Sequence, residues 1–72
     1  MSTLLRPDLN QMIRRRLHQP VPVIEMHTDA TTLHYTSGSK RWQIPNDDLR
    51  AIATRPGAAY ELEIETALKH IT

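Results

Sequence analysis

The sequence predicts a small α+β domain, with residues 1–72 forming one unit. Its parts are an N-terminal helix, a three-stranded antiparallel β-meander and a C-terminal helical pair, whose last segment reads either as helix or as edge strand. Three observations carry this. An apolar stripe at helical spacing runs from Leu5 to Leu17 and is followed by two prolines. The stretch Leu33 to Leu49 reads as strand, tight turn, strand, proline stop and helix start. After Pro56-Gly57 the chain is rich in alanine, glutamate and leucine, which favour helix.

Pro7 suits the first turn of a helix, where its missing N–H costs nothing. Asp8 then meets the positive end of the helix dipole. Leu5, Leu9, Met12, Ile13 and Leu17 make one apolar stripe, and Pro20 and Pro22 forbid continuation, so the helix spans residues 7–18. Arg14 and Arg15 project away from the stripe. Arg16, seven residues after Leu9, falls near it, and its stem is expected to run past the helix end or its head to meet a carboxylate.

Val23 to Thr28 alternates like a half-buried strand, with Ile24 and Met26 on one side and Glu25 and His27 on the other. Two further strands follow, Thr32 to Thr36 and Lys40 to Ile44. Opposed residues in an antiparallel pair share a face, so the apolar sets must oppose each other. Pairing Tyr35 with Trp42 and Leu33 with Ile44 leaves Gly38-Ser39 as a two-residue loop, glycine first, as a type II′ turn requires. Pairing Met26 with Leu33 and Ile24 with Tyr35 leaves Asp29-Ala30 as the other loop, though alanine is poor at positive φ and favours a longer turn. This register puts Glu25, His34 and Gln43 in one polar row and Thr36 beside Arg41. The apolar face, with Trp42 and Tyr35, is expected to be covered by the first helix.

Pro45 ends the third strand. Asn46 is expected as N-cap, with Asp47 and Asp48 in the first helical turn and Leu49, Ile52 and Ala53 as a short apolar stripe. The last segment alternates from Tyr60 to Glu65 as a strand would. Tyr60, Ile64, Ala67, Leu68 and Ile71 also form a helical stripe, and the early glutamates with late Lys69-His70 match the helix dipole.

A chain of 72 residues buries only about 60% of its unfolded surface, so its stability margin is thin. It has no cysteine, hence no disulfide and no thiolate metal site. Residues 1–7 hold no long apolar run, so no secretory signal is expected, and no stretch approaches the roughly 18 apolar residues of a membrane span. The expected location is cytoplasmic, with no membrane partner. The net charge of +1 is too small for a dedicated polyanion binder. Its distribution is uneven: residues 1–45 hold more cations than carboxylates, and residues 46–72 the reverse.

No catalytic, cofactor-binding or metal-ligating residues are assigned, so the chain is not expected to be an enzyme. His27 and His34 share a sheet face near Glu25, but zinc needs three or four convergent ligands, and a solvated pairing of His34 with Glu25 accounts for the pattern. His18 and His70 sit near helix C-termini, where a cation is favoured. Glu61, Glu63 and Glu65 are two apart and do not face one another on a helix, which speaks against paired acid–base work. There is no nucleophile elbow, P-loop or dinucleotide fingerprint.

The basic residues give the stronger lead. Arg14, Arg15 and Arg16 end a helix, and Lys40 and Arg41 follow a hairpin tip. Arginine forks match phosphate oxygens, and hairpin tips reach along grooves. The segment Trp42-Gln43-Ile44-Pro45-Asn46-Asp47-Asp48-Leu49 resembles the wing-to-helix junction of excisionase-type winged-helix proteins, DNA-binding factors of phages and mobile elements. Pro22 to Met26 resembles the strand that follows the recognition helix in Cox-like members. The resemblance implies that Arg14, Arg15 and Arg16 lie late in a recognition helix, with Lys40 and Arg41 in the wing. The expected function is that of a small nucleic-acid-binding or regulatory accessory protein. The alternative is a protein–protein interaction module, an adaptor, inhibitor or assembly subunit without a nucleic-acid role. Expected partners are accordingly DNA, another protein, or a second copy of the chain.

Overall fold

The computed structural model describes residues 4–72. The chain runs β1 (Leu4–Leu5), α1 (Pro7–Leu17), β2 (Ile24–Thr28), β3 (Thr32–Ser37), β4 (Lys40–Pro45), α2 (Asn46–Ile52) and α3 (Ala58–Ile71). The sheet is antiparallel throughout, in the order β1-β2-β3-β4. This is the expected α+β arrangement, with the ambiguous last segment helical and a two-residue strand added at the β2 edge.

Helix α1 begins at Pro7, with Asp8 in its first turn, and ends where His18 turns left-handed at φ 56° and returns its N–H to the Arg14 carbonyl. Leu9 and Ile13 are fully buried. Leu5 is not part of that stripe: it belongs to β1 and is 64% exposed. Asn10 takes the vacant place on the buried face, and both its donor and acceptor atoms are bonded. Nδ2 donates to the carbonyls of Arg6 and Ile24 at 2.6 and 3.2 Å, and Oδ1 accepts the Ile24 N–H at 2.7 Å. One side chain thus fastens α1 to the start of β2.

The β3–β4 hairpin has the expected register, Tyr35 opposite Trp42 and Leu33 opposite Ile44. Gly38 sits at φ +63° in the two-residue turn, and a Cβ there would lie 3.1 Å from Cγ of Pro22. The β2–β3 register differs from the expected one by two residues: Met26 opposes Tyr35 and Ile24 opposes Ser37. A shift of two leaves every side chain on its own face, so hydrophobic alternation alone does not select between the registers. The turn chemistry does. Asp29 Oδ1 accepts the N–H groups of Thr31 and Thr32, each at 2.8 Å, and holds a turn longer than Asp29-Ala30. His27, His34 and Gln43 consequently share one row of the polar face, and Glu25, Thr36 and Arg41 share the next.

The apolar face carries Ile24, Met26, Tyr35, Trp42 and Ile44, all buried. Helix α3 packs on β4, with α1 beside α3, so the cover is made by two helices and not by α1 alone. Ile64 and Ala67 of α3 are fully buried. The rings of Tyr35, Trp42 and His70 form a stack with successive centroids 5.7 Å apart. Asn46 is the first residue of α2, not its cap; Pro45 holds the N-cap place, and the Asn46 N–H donates to the Thr31 carbonyl at 2.8 Å.

Gly38→Val combines a β-branched residue at positive φ with a collision against Pro22, and should cost about 2 kcal/mol. In a domain of this size that lowers Tm by roughly 10 °C. Ser39→Asn should leave Tm near the wild-type value. Thermal unfolding followed by circular dichroism checks both; an unchanged Tm for Gly38→Val contradicts the turn assignment.

Candidate functional site

Strand alternation sorts the polar residues between the two faces of the sheet. Trp42 and Ile44 point into the core, so Arg41 and Gln43 point away from it, together with Glu25, His27, His34 and Thr36. Both helices that cover the core lie on the other side, which leaves this polar face open among the described residues. His27, His34, Thr36, Arg41 and Gln43 line a shallow concavity of about 570 Å³ on it. The two imidazoles are stacked, with centroids 4.9 Å apart and planes 11° from parallel. The expected pairing of His34 with Glu25 is replaced: His34 Nε2 lies 2.6 Å from Asp29 Oδ2, a consequence of the longer turn.

Asp29 therefore receives both the His34 ring and the two backbone N–H groups of its own turn. These bonds, the imidazole's first among them, lower its pKa from the usual 3.8 to about 2. Among the described residues no cluster of three or more potential ligands is placed to hold a metal ion.

The basic residues fall as follows. Asn10 sits on Ile24, and Arg14 shares a groove with Val23 and Leu5, so α1 advances opposite to β2 and beyond its start. Pro22, just before Val23, lies against the Gly38 turn. The last turn of α1 and the β3–β4 turn thus occupy the same end of the sheet. Arg14 and Arg15 of α1 point toward that end and Lys40 and Arg41 of β4 stand at it, all exposed and none in an ion pair among the described residues. Arg16 is also there, with Nη2 3.7 Å from Glu61 Oε2. Arg41 projects onto the open face, whereas Lys40, by alternation, points to the helix side. At the opposite end lie Asp29, and Asp47 and Asp48 in the first turn of α2. Asp47 there is 3.6 Å from Arg50.

One cluster was not anticipated from the sequence. Glu63, only 8% exposed, accepts two hydrogen bonds from the Arg6 guanidinium, at 2.5 and 3.0 Å, and a third from the Tyr35 hydroxyl. Arg6 Nη1 also lies 3.1 Å from Met26 Sδ. Burial first, then the bond to Glu63, pushes the Tyr35 phenol well above its usual pKa, while the bond to Glu63 raises that of Arg6. These groups meet between α1, α3 and the sheet and tie the three together. A signal for them exists in the sequence: Glu63 falls three residues after Tyr60 and four before Ala67, on the apolar stripe of α3.

No family model, curated protein or solved structure matches this chain.

Asp29 supplies a pH test. Its folded pKa lies below its unfolded value, so its contribution is fully present above about pH 3.8 and is lost as pH falls toward about 2. Asp29→Asn keeps the Oδ1 acceptor and removes the charge. The Tm of wild type should exceed that of the variant above pH 4, and the gap should close on acidification toward pH 2. A gap independent of pH contradicts the pairing of Asp29 with His34.

Proposed function

We propose that this chain is a small nucleic-acid-binding protein, acting as a regulatory accessory factor, that grips a phosphate backbone with the end of the sheet carrying Arg14, Arg15, Lys40 and Arg41. The observation that carries the reading is the placement of unpaired cations toward one end of the strands. Lys40 and Arg41 stand beside the β3–β4 turn and Arg14 and Arg15 in the last turn of α1, none of them in an ion pair among the described residues; Asp29, Asp47 and Asp48 lie at the other end of the strands, while Glu25 and Glu61 stay on the basic side. A near-neutral chain binds a polyanion when its cations are gathered in one place. Arg16 contributes less, because Glu61 takes up part of its charge. The likeness of Trp42 to Leu49 to a winged-helix junction agrees with a hairpin tip that touches DNA, and favours an origin in a phage or mobile element.

A second reading has its own support. Leu5 and Val23 are 64% and 50% exposed and line one groove with Arg14 at the β1 edge. Apolar side chains grouped at a sheet edge suit a protein partner or a second copy of the chain.

Binding of labelled duplex and single-stranded oligonucleotides at low and moderate salt separates the two. Affinity should fall steeply with salt, since each phosphate contact releases about 0.9 counterion on duplex DNA. Arg14→Ala combined with Arg15→Ala should weaken binding about 10-fold and reduce the salt slope by about 2, with Tm unchanged. Absence of association at about 50 mM salt overturns the proposal and leaves the interaction module as the better account.

A further inference from the structure

We propose that the open face of the sheet is a base-stacking platform for single-stranded nucleic acid. His27 and His34 carry a base, Gln43 reads its edge, and Arg41 holds the adjoining phosphate. The inference rests on the chain being a nucleic-acid binder and names which form it takes.

Tyr35 and Trp42, the tyrosine and tryptophan of the sheet, are buried on the covered face. The open face supplies a different π-surface. Its two imidazoles are already stacked at 4.9 Å and sit side by side on β2 and β3. A third planar heteroaromatic ring extends such a stack, and every base has a face to offer. Their row is completed by Gln43, whose amide both donates and accepts hydrogen bonds. The next row toward the β3–β4 turn holds Thr36 and Arg41. Arg41 thus belongs both to the concavity and to the basic end, and a strand held there by its phosphates continues onto the histidines. Glu25 shares the row of Arg41 but lies two strands across, and Asp29 is engaged by His34 and its own turn. Neither stands between Arg41 and the imidazoles. The concavity of about 570 Å³ lies within the roughly 300–1,000 Å³ usual for small-molecule sites, room for a base with its sugar. A duplex keeps its bases stacked on one another and offers phosphates and groove edges but no free base face to the imidazoles.

The test uses the full chain and fluorescence anisotropy with labelled oligonucleotides of about twelve nucleotides: single-stranded DNA, single-stranded RNA and the DNA duplex of the same sequence. Single strands should bind at least about 10-fold tighter than the duplex, and the RNA arm decides whether the 2′-hydroxyl adds to affinity. His27→Ala should weaken single-strand binding about 5-fold and leave duplex binding unchanged, while His27→Phe, which keeps a planar ring, should retain it. Circular dichroism checks that both variants fold; the His27 ring makes no hydrogen bond among the described residues. Equal affinity for single strand and duplex, with His27→Ala without effect on either, overturns the platform while the phosphate-binding end stands. Absence of binding to all three oligonucleotides at about 50 mM salt overturns both.

Discussion

The carboxylate of Glu63 is the constraint on which the arrangement depends. It is the one acidic group among the described residues that is taken out of water, and a buried carboxylate is tolerated only when partners replace its hydration. Arg6 supplies a two-pronged, charge-assisted contact and Tyr35 a hydroxyl. These three residues come from the link between β1 and α1, from β3, and from α3. Meeting at one point, they fix both helices to the same side of the sheet. Which face is covered and which is open follows from that. The cost of such a cluster is that removal of any one partner leaves the others buried and unsatisfied, which suits a domain whose small core allows few alternative packings.

From this choice of face the surface chemistry follows by geometry. Asn10 sets the direction of α1 relative to β2, so its basic last turn emerges at the end where β3 turns into β4. Pro45 closes β4 and starts α2 at the other end, carrying Asp47 and Asp48 with it. Asp47 and Asp48 are thereby carried away from the β3–β4 turn, while Glu61 stays beside Arg16. Strand alternation adds the last detail by sending Arg41 to the open face and Lys40 to the covered one.

Much of this was legible in the residues. The β3–β4 hairpin could be placed to the residue, because the apolar pairs and the glycine of a two-residue turn agree on one register. The β2–β3 register could not, because a slip of two preserves both faces and the deciding interaction is a side chain, Asp29, bonding to backbone two and three residues on. That slip also moved the partner of His34 from Glu25 to Asp29 and brought His27 beside it. β1 is too short to show a period. Asn10 and Glu63 stand at apolar stripe positions, and a polar residue there signals a specific buried partner, but the identity of that partner, 14 or 57 residues distant, is settled only by the fold. The basic side chains were placed correctly on a helix end and a hairpin tip; that these lie at one end of the sheet depends on the Asn10 anchor.

The central claim is that the β3–β4 turn and the last turn of α1 form the binding end. It is tested most directly by amide chemical-shift mapping of the labelled protein during titration with a short oligonucleotide. The account predicts that the largest changes fall on residues 14–18 and 38–41, with little change at Asp29–Thr31 and in α2. Changes concentrated at the Asp29–Thr31 turn and α2, with residues 14–18 and 38–41 unmoved, would contradict it.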